Sequence, residues 1–279
     1  VRVYTTQELE AERGPMGFLI LLYGPTGVGK SVTTIQTADQ PILYVCCESR
    51  DPRKFLKEAA RPGLDIDFVF YETFDEIMEF FANPANFARY RTIVIDSITF
   101  LTLGVSREIE DEGYAALDKK RDIDKPLTIK GKQSVEGYGA LGNHMLRFTN
   151  LTGLLTQQGQ DVIMLALMDE NPSYKRDFNA APLLEGKKFG KNLPGFCDMI
   201  GMVESRLSET GEVVYPPRVL FDGDEWFMHK KYGSITAGTL HLGKILAKAR
   251  TIEPEMKERR KRGEHARVDG GTDSDGQEG

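Results

Sequence analysis

FLILLYGPTGVGKSVTTIQTA, residues Phe18 to Ala38, is the stretch on which the fold turns. Phe18–Tyr23 is a short apolar run of the kind that makes a buried strand. It leads into Gly24-Pro25-Thr26-Gly27-Val28-Gly29-Lys30-Ser31, an ungapped G-x-x-x-x-G-K-[ST] pattern. The glycines let the backbone curl so that its N–H groups point inward at phosphate oxygens. The following helix adds the positive end of its dipole. Lys30 can neutralise β- and γ-phosphates, and the Ser31 hydroxyl can ligand Mg²⁺. Gly24 through Val32 is therefore the expected nucleotide cradle, with ATP and Mg²⁺ as the expected cofactors. The bland alternative is a glycine-rich turn with a surface lysine, and the strand before and helix after count against it. Val32, Thr33, Thr34 and Ile35 are mediocre helix formers, so tertiary packing has to hold that helix.

Further strands follow. Ile42–Cys47 (ILYVCC) is rich in β-branched and aromatic residues. Asp51-Pro52 opens a helix that stops near Arg61–Gly63. Ile66–Tyr71 is a third strand, and Thr73 with Glu76 forms a capping box for the next helix. Arg91–Ser97 (RTIVIDS) and Asp161–Met168 (DVIMLALM) are the fourth and fifth strands. Tyr138, Leu141, Met145, Phe148, Leu151 and Leu155 recur at helical spacing and predict a long amphipathic helix between them. Strands separated by helices give an α/β class with a mostly parallel, doubly wound sheet flanked by helices. Met199–Arg206, Val213–Phe221 and Glu225–Tyr232, joined by the turns SETG and FDGD, add a C-terminal antiparallel extension. A short helix is expected after Thr239. The core is expected over 1–250, with 251–279 a charged, then Gly/Asp-rich, disordered tail. Two long polar stretches, Gly113–Ser134 and Asp169–Asn192, interrupt the core and are expected to be functional loops.

A phosphate cradle alone does not hydrolyse anything. TIVIDS ends in Asp96, an acid emerging from an apolar strand. Beside a P-loop such an acid serves the Mg²⁺ shell, often through the Ser31 hydroxyl. Its competing role is a helix N-cap, which Ser97 could also fill. A base must then orient or deprotonate water, and no acid adjoins Asp96. Glu48 ends the strand after the P-loop helix, and strand carboxyl ends are where ligands collect in open α/β sheets. Glu48 is the candidate base, against the alternative of a solvated loop acid.

Composition sets the frame. The chain has 279 residues, 40% of them hydrophobic, and a net charge of −6. Any basic surface must be local. Three cysteines, two adjacent at Cys46 and Cys47, make no disulfide framework, so a reducing, cytoplasmic setting is expected. The opening VRVYTTQELE carries no signal-peptide pattern, and no apolar run approaches the length of a membrane span.

With these residues assembled, the chain resembles a RecA-like ATPase. YGPTGVGKS, then ILYVCCES with its glutamate eighteen residues after the lysine, then TIVIDS, is that family's order. More narrowly it is similar to the small phage-encoded RecA-like ATPases linked to single-strand annealing and recombination, through LLEGKKFGKNLPGFCDMIGMV and the late HKKYGS. The resemblance spans about Phe18 to Leu240. It implies a RecA-like P-loop core, a catalytic glutamate at Glu48 and a metal aspartate at Asp96. It implies a homo-oligomeric ring or filament in which a late strand gives a cation to the neighbour's γ-phosphate. Lys230, with Lys231 second, stands where a K-x-R finger would be, and Tyr232 replaces its arginine. Met168 stands where many relatives sense phosphate with His or Gln, leaving Asp169 or Asn171 for that task.

RecA-like proteins contact DNA through two loops, and the two polar stretches lie in those places. The first holds Lys119, Lys120, Arg121, Lys125, Lys130 and Lys132. The second holds Lys175, Arg176, Lys187, Lys188 and Lys191, interleaved with Tyr174, Phe178 and Phe189. Cations could neutralise phosphates and aromatics could stack on bases. Acids are mixed in, so two solvated loops are the bland alternative. The expected partner is single-stranded DNA, with a single-strand-binding or replication protein reached through the tail, no membrane, and a host cytoplasm if the chain is phage-encoded. The rival functions are a nucleotide-regulated oligomeric scaffold that binds a protein partner, and a small-molecule kinase.

Overall fold

The computed structural model describes residues 16–116, 128–129, 132–170, 180–221, 228–230 and 237–261, with 5, 7 and 8 ahead of them. In chain order the elements are β1 (Leu19–Gly24), α1 (Lys30–Thr37), β2 (Ile42–Cys46), α2 (Arg53–Ala59), β3 (Ile66–Phe70), α3 (Phe74–Ala82) and a 3₁₀ turn at Pro84–Phe87. Then come β4 (Thr92–Asp96), α4 (Ile98–Ala116), the short β5 (Thr128–Ile129) and β6 (Lys132–Gln133), α5 (Val135–Gln157) and β7 (Asp161–Asp169). The chain continues with β8 (Ala181–Pro182), α6 (Lys187–Phe196), β9 (Met199–Leu207), β10 (Val213–Leu220), β11 (His229–Lys230), β12 (Ala237–Thr239) and α7 (Leu242–Lys261).

One sheet runs β12-β10-β9-β1-β7-β4-β2-β3, with β11 beside β9 and β8 beside β7. From β3 through β9 every neighbouring pair is parallel; β8, β10, β11 and β12 are antiparallel. This is the expected mostly parallel sheet flanked by helices, with its C-terminal antiparallel extension.

The central strands are continuous apolar runs because both sheet faces are covered. Leu19, Leu21 and Tyr23 enter a core shared with Ile77 of α3, Leu101 of α4, Phe148 of α5 and Phe189 of α6. Phe18, Ile20 and Leu22 point the other way, to Ile35 of α1, Ala59 of α2 and Leu246 of α7. Packing also rescues α1 from its poor propensity. Thr33 and Thr34 are buried, and Thr37 Oγ1 accepts from the Leu242 N–H at 3.0 Å, tying α1 to the start of α7.

Local signals explain several boundaries. Thr73 caps α3 by accepting from the Glu76 N–H, and Ser134 caps α5 by accepting from the Gly137 N–H. At the amino ends of the strands Asp161 is fully buried. It accepts from the Phe18 N–H at 3.1 Å, pairs with Arg91 at 3.2 Å and takes a short bond from Arg250 of α7.

Four expectations need correction. Ile98, Leu101, Val105 and Ile109 form the buried face of α4, a helix where the sequence predicts none. Of the first long polar stretch, Gly113–Ala116 is the end of α4, and Thr128–Ile129 pairs with Lys132–Gln133. Of the second, Asp169 closes β7, β8 turns back against it, and α6 begins at Lys187. The helix after Thr239 is long, and α7 continues past Thr251 to Lys261, where a tail was expected. Of the expected strand Glu225–Tyr232, the described part is His229–Lys230; residues 222–227 and 231–236 lie outside the described residues.

Candidate nucleotide-binding site

The P-loop bridges the carboxyl end of β1 and the start of α1. Gly29 has φ +93°, a conformation that L side chains avoid, and a Cβ there would lie 2.8 Å from the Tyr215 ring. Gly24 backs onto β9 so closely that a Cβ would sit 2.2 Å from the Val203 carbonyl oxygen. Both glycines are therefore required by geometry as well as by the motif.

Lys30, Ser31, Glu48 and Asp96 come from three separate segments and meet in one cavity of about 600 Å³. Lys30 is folded back, its Nζ donating to the carbonyls of Gly24 and Pro25 at 2.8 Å each. Burial pushes its pKa down to about 8, against the opposing pull of Asp96 and Glu48. The Ser31 hydroxyl donates to Asp96 Oδ2 at 2.5 Å. Asp96 is thus placed by β4 to serve the P-loop serine, and the peptide bond that follows it, to Ser97, is cis.

Glu48 sits just past β2, next to β4. Its Oε2 pairs with Arg50 Nε at 2.9 Å, and the Ser97 hydroxyl donates to Oε1 at 3.5 Å. Burial and the neighbouring Asp96 raise the Glu48 pKa above the usual carboxylate range, while Arg50, Ser97 and Lys30 act in the opposite direction. A carboxylate so poised is suited to accept a proton from water.

The residues fit Mg²⁺ chemically. A hydroxyl and a carboxylate offer hard oxygen donors, and Asp96 Oδ1 has no hydrogen-bond partner among the described residues. Such a cation is held by one or two protein oxygens together with substrate phosphates.

A family model described as an AAA domain (AAA_24) matches residues 16–251. The chain belongs to this AAA-domain family. Fold and family together make it a P-loop ATPase. Among solved structures, a KaiC-like protein from the hyperthermophilic archaeon Pyrococcus horikoshii OT3 is similar, at 16% identity and a TM-score of 0.41. The match covers 74% of this chain and 78% of that one. No curated protein matches in sequence.

The rest of this AAA-domain protein's cavity came from residues that the motifs did not flag. Arg50, Lys54, Phe55 and Glu58 wall it on the α2 side, and Ala166 and Leu167 wall it from β7. Tyr215 overhangs the P-loop from a register shift in β10, with its hydroxyl 3.5 Å from the Gly27 carbonyl. Tyr44 donates a short hydrogen bond to Asp96 Oδ2. The signal for Tyr44 was one hydroxyl inside an apolar strand, since a buried tyrosine oxygen needs a partner. Tyr215 had no such signal.

Among the candidate DNA contacts, Lys187 and Lys188 lie exposed in the first turn of α6, and Lys188 Nζ reaches Asn143 Oδ1 at 2.8 Å. Lys191 is exposed one turn on. Phe189 is fully buried, so it cannot stack on a base as the sequence suggested. Lys132 is in β6 and Lys230 in β11, the latter paired with Met199 of β9. Lys119, Lys120, Arg121, Lys125, Lys130, Tyr174, Lys175, Arg176, Phe178, Asn171 and Lys231 lie outside the described residues. Among the described residues no helix is long and apolar enough to cross a membrane.

Proposed function

We propose that this ATPase acts on single-stranded DNA in recombination, annealing or replication. The supporting observation is the convergence of Lys30, Ser31, Glu48 and Asp96 in one cavity, with exposed lysines beyond the strand that walls it. Gly24–Val32 would hold the phosphates, and Ser31 and Asp96 would hold the metal. Mg²⁺ held there would supply neutralisation of phosphate charge. Glu48 takes the proton from the attacking water, with Arg50 and Ser97 fixing its orientation.

The DNA reading draws on Lys187, Lys188 and Lys191. They follow β8, which pairs with the end of β7, and β7 also contributes Ala166 and Leu167 to the cavity wall. Nucleotide and DNA would thus meet at neighbouring parts of one strand end. Lys230 or Lys231 supplies a cation to the γ-phosphate of the next copy in a ring or filament, where it stabilises charge on the transferring group.

Phosphate release measured with and without single-stranded DNA, across a salt series, tests this reading. Stimulation that fades as salt rises is expected, because phosphate contacts release counterions. Release indifferent to DNA at every salt concentration, with turnover intact, rejects the DNA partner and favours a protein scaffold.

A further inference from the structure

We infer that Tyr44 is a positioning residue for the metal site, holding Asp96 in place through its phenolic hydroxyl. The inference rests on the proposed role of Asp96 in holding the metal.

The strand register brings the two together. Tyr44 lies opposite Val94, and Cys46 lies opposite Asp96. Tyr44 and Asp96 are therefore diagonal neighbours on one sheet face, within reach of an aromatic side chain. That face is the one covered by α1 and α2. Ser31, at the first turn of α1, approaches from above.

Two hydroxyls converge on a single oxygen. Tyr44 Oη and Ser31 Oγ both donate to Asp96 Oδ2. The donors differ in freedom. Ser31 belongs to the loop-helix junction that meets nucleotide. Tyr44 is 1% exposed, and its ring is wedged between Phe55 at 5.5 Å and Phe68 at 5.6 Å. Its hydroxyl has little room to turn away.

The consequence is directional. A carboxylate with one oxygen anchored by a rigid donor presents the other, Oδ1, in a fixed direction. Orientation of a metal-site ligand by a supporting hydrogen bond tightens metal binding, and losing such support commonly costs about 10- to 100-fold. Tyr44→Phe removes one oxygen and leaves the ring in its aromatic slot, so the fold is retained.

The test uses the full chain and a fluorescent, non-hydrolysable ATP analogue. Affinity is measured in EDTA and across a Mg²⁺ series for the wild type, Tyr44→Phe, Asp96→Asn and the double variant. In EDTA, Tyr44→Phe is expected to bind the analogue as the wild type does. Its half-saturating Mg²⁺ concentration is expected to rise about tenfold. In the Asp96→Asn background the same change is expected to have almost no effect. An unchanged Mg²⁺ requirement in Tyr44→Phe overturns the inference, as does equal weakening in EDTA or an equal effect in the Asp96→Asn background. An unchanged Mg²⁺ requirement in Asp96→Asn itself overturns the metal assignment on which the inference rests, and is distinguishable from the other outcomes.

Discussion

Lys30 shows how far a motif residue departs from a surface lysine. It is 8% exposed, and burial brings its pKa down to about 8. The charged form is the one that holds phosphate. Below pH 8 the amine is protonated and binds; above it the amine loses its charge and the nucleotide loses a partner. Affinity for an ATP analogue, measured in EDTA from pH 6.5 to 9.5, is expected to fall above about pH 8. In Lys30→Arg that alkaline fall is expected to vanish, because arginine does not titrate there. A flat profile in the wild type contradicts the assignment. At this scale the sequence was legible wherever a residue's meaning is local. Lys30 and Ser31 sit in a contiguous motif, Asp96 ends an apolar strand and Glu48 lies just past one. Tyr44 carried a signal, a hydroxyl inside an apolar strand, but its partner depends on the β2–β4 register, and Tyr215 was opaque because a register shift in β10 places it.

Elements read well where hydrophobic periodicity was continuous, and poorly where polar residues masked it. β1, β2, β4 and β7 were legible as apolar runs. α4 was hard to see although Ile98, Leu101, Val105 and Ile109 are at helical spacing, because its second half, REIEDEG at 107–113, is mostly charged and merges into the polar stretch beyond. The base of the second polar stretch is held by side chains no local rule reveals. The Thr99 hydroxyl donates to the Leu183 carbonyl at 2.8 Å and accepts from the Leu167 N–H at 3.0 Å, and Thr102 accepts from the Glu185 N–H at 3.2 Å. The docking of α7 is likewise non-local. Arg250 bonds Asp161, and its guanidinium lies 5.8 Å from the Phe18 ring centroid. Arg250→Met keeps the bulk but leaves a fully buried carboxylate with one cation fewer. Removing one partner of a buried pair is expected to cost about 3 kcal/mol here. For a chain of this size that lowers Tm by about 8 °C in a thermal melt. The clamp is at the amino ends of the strands and the cavity at their carboxyl ends, so nucleotide affinity well below Tm is expected to be unchanged. A Tm within about 1 °C of the wild type contradicts this account.

At the scale of the whole molecule, the sheet separates two tasks. Its amino ends are locked by Asp161, Arg91 and Arg250, while its carboxyl ends carry the P-loop, Glu48 and Asp96. Rigidity at one end lets the groups that line the cavity be held at the other. Assembly is the next level. If Lys230 reaches a neighbour's nucleotide, Lys30→Ala subunits mixed with Lys230→Ala subunits regain part of the lost ATPase at interfaces that pair an intact P-loop with an intact lysine. No recovery at any ratio, with assembly intact, removes the trans cation. The central claim is that the cavity formed by Lys30, Ser31, Glu48 and Asp96 hydrolyses ATP with Glu48 as base. Parallel measurement of phosphate release and ATP affinity in the wild type and Glu48→Gln tests it most directly. The account predicts wild-type turnover, with a drop of about 100-fold or more in the variant and affinity held within about twofold. Turnover in Glu48→Gln equal to that of the wild type would contradict it.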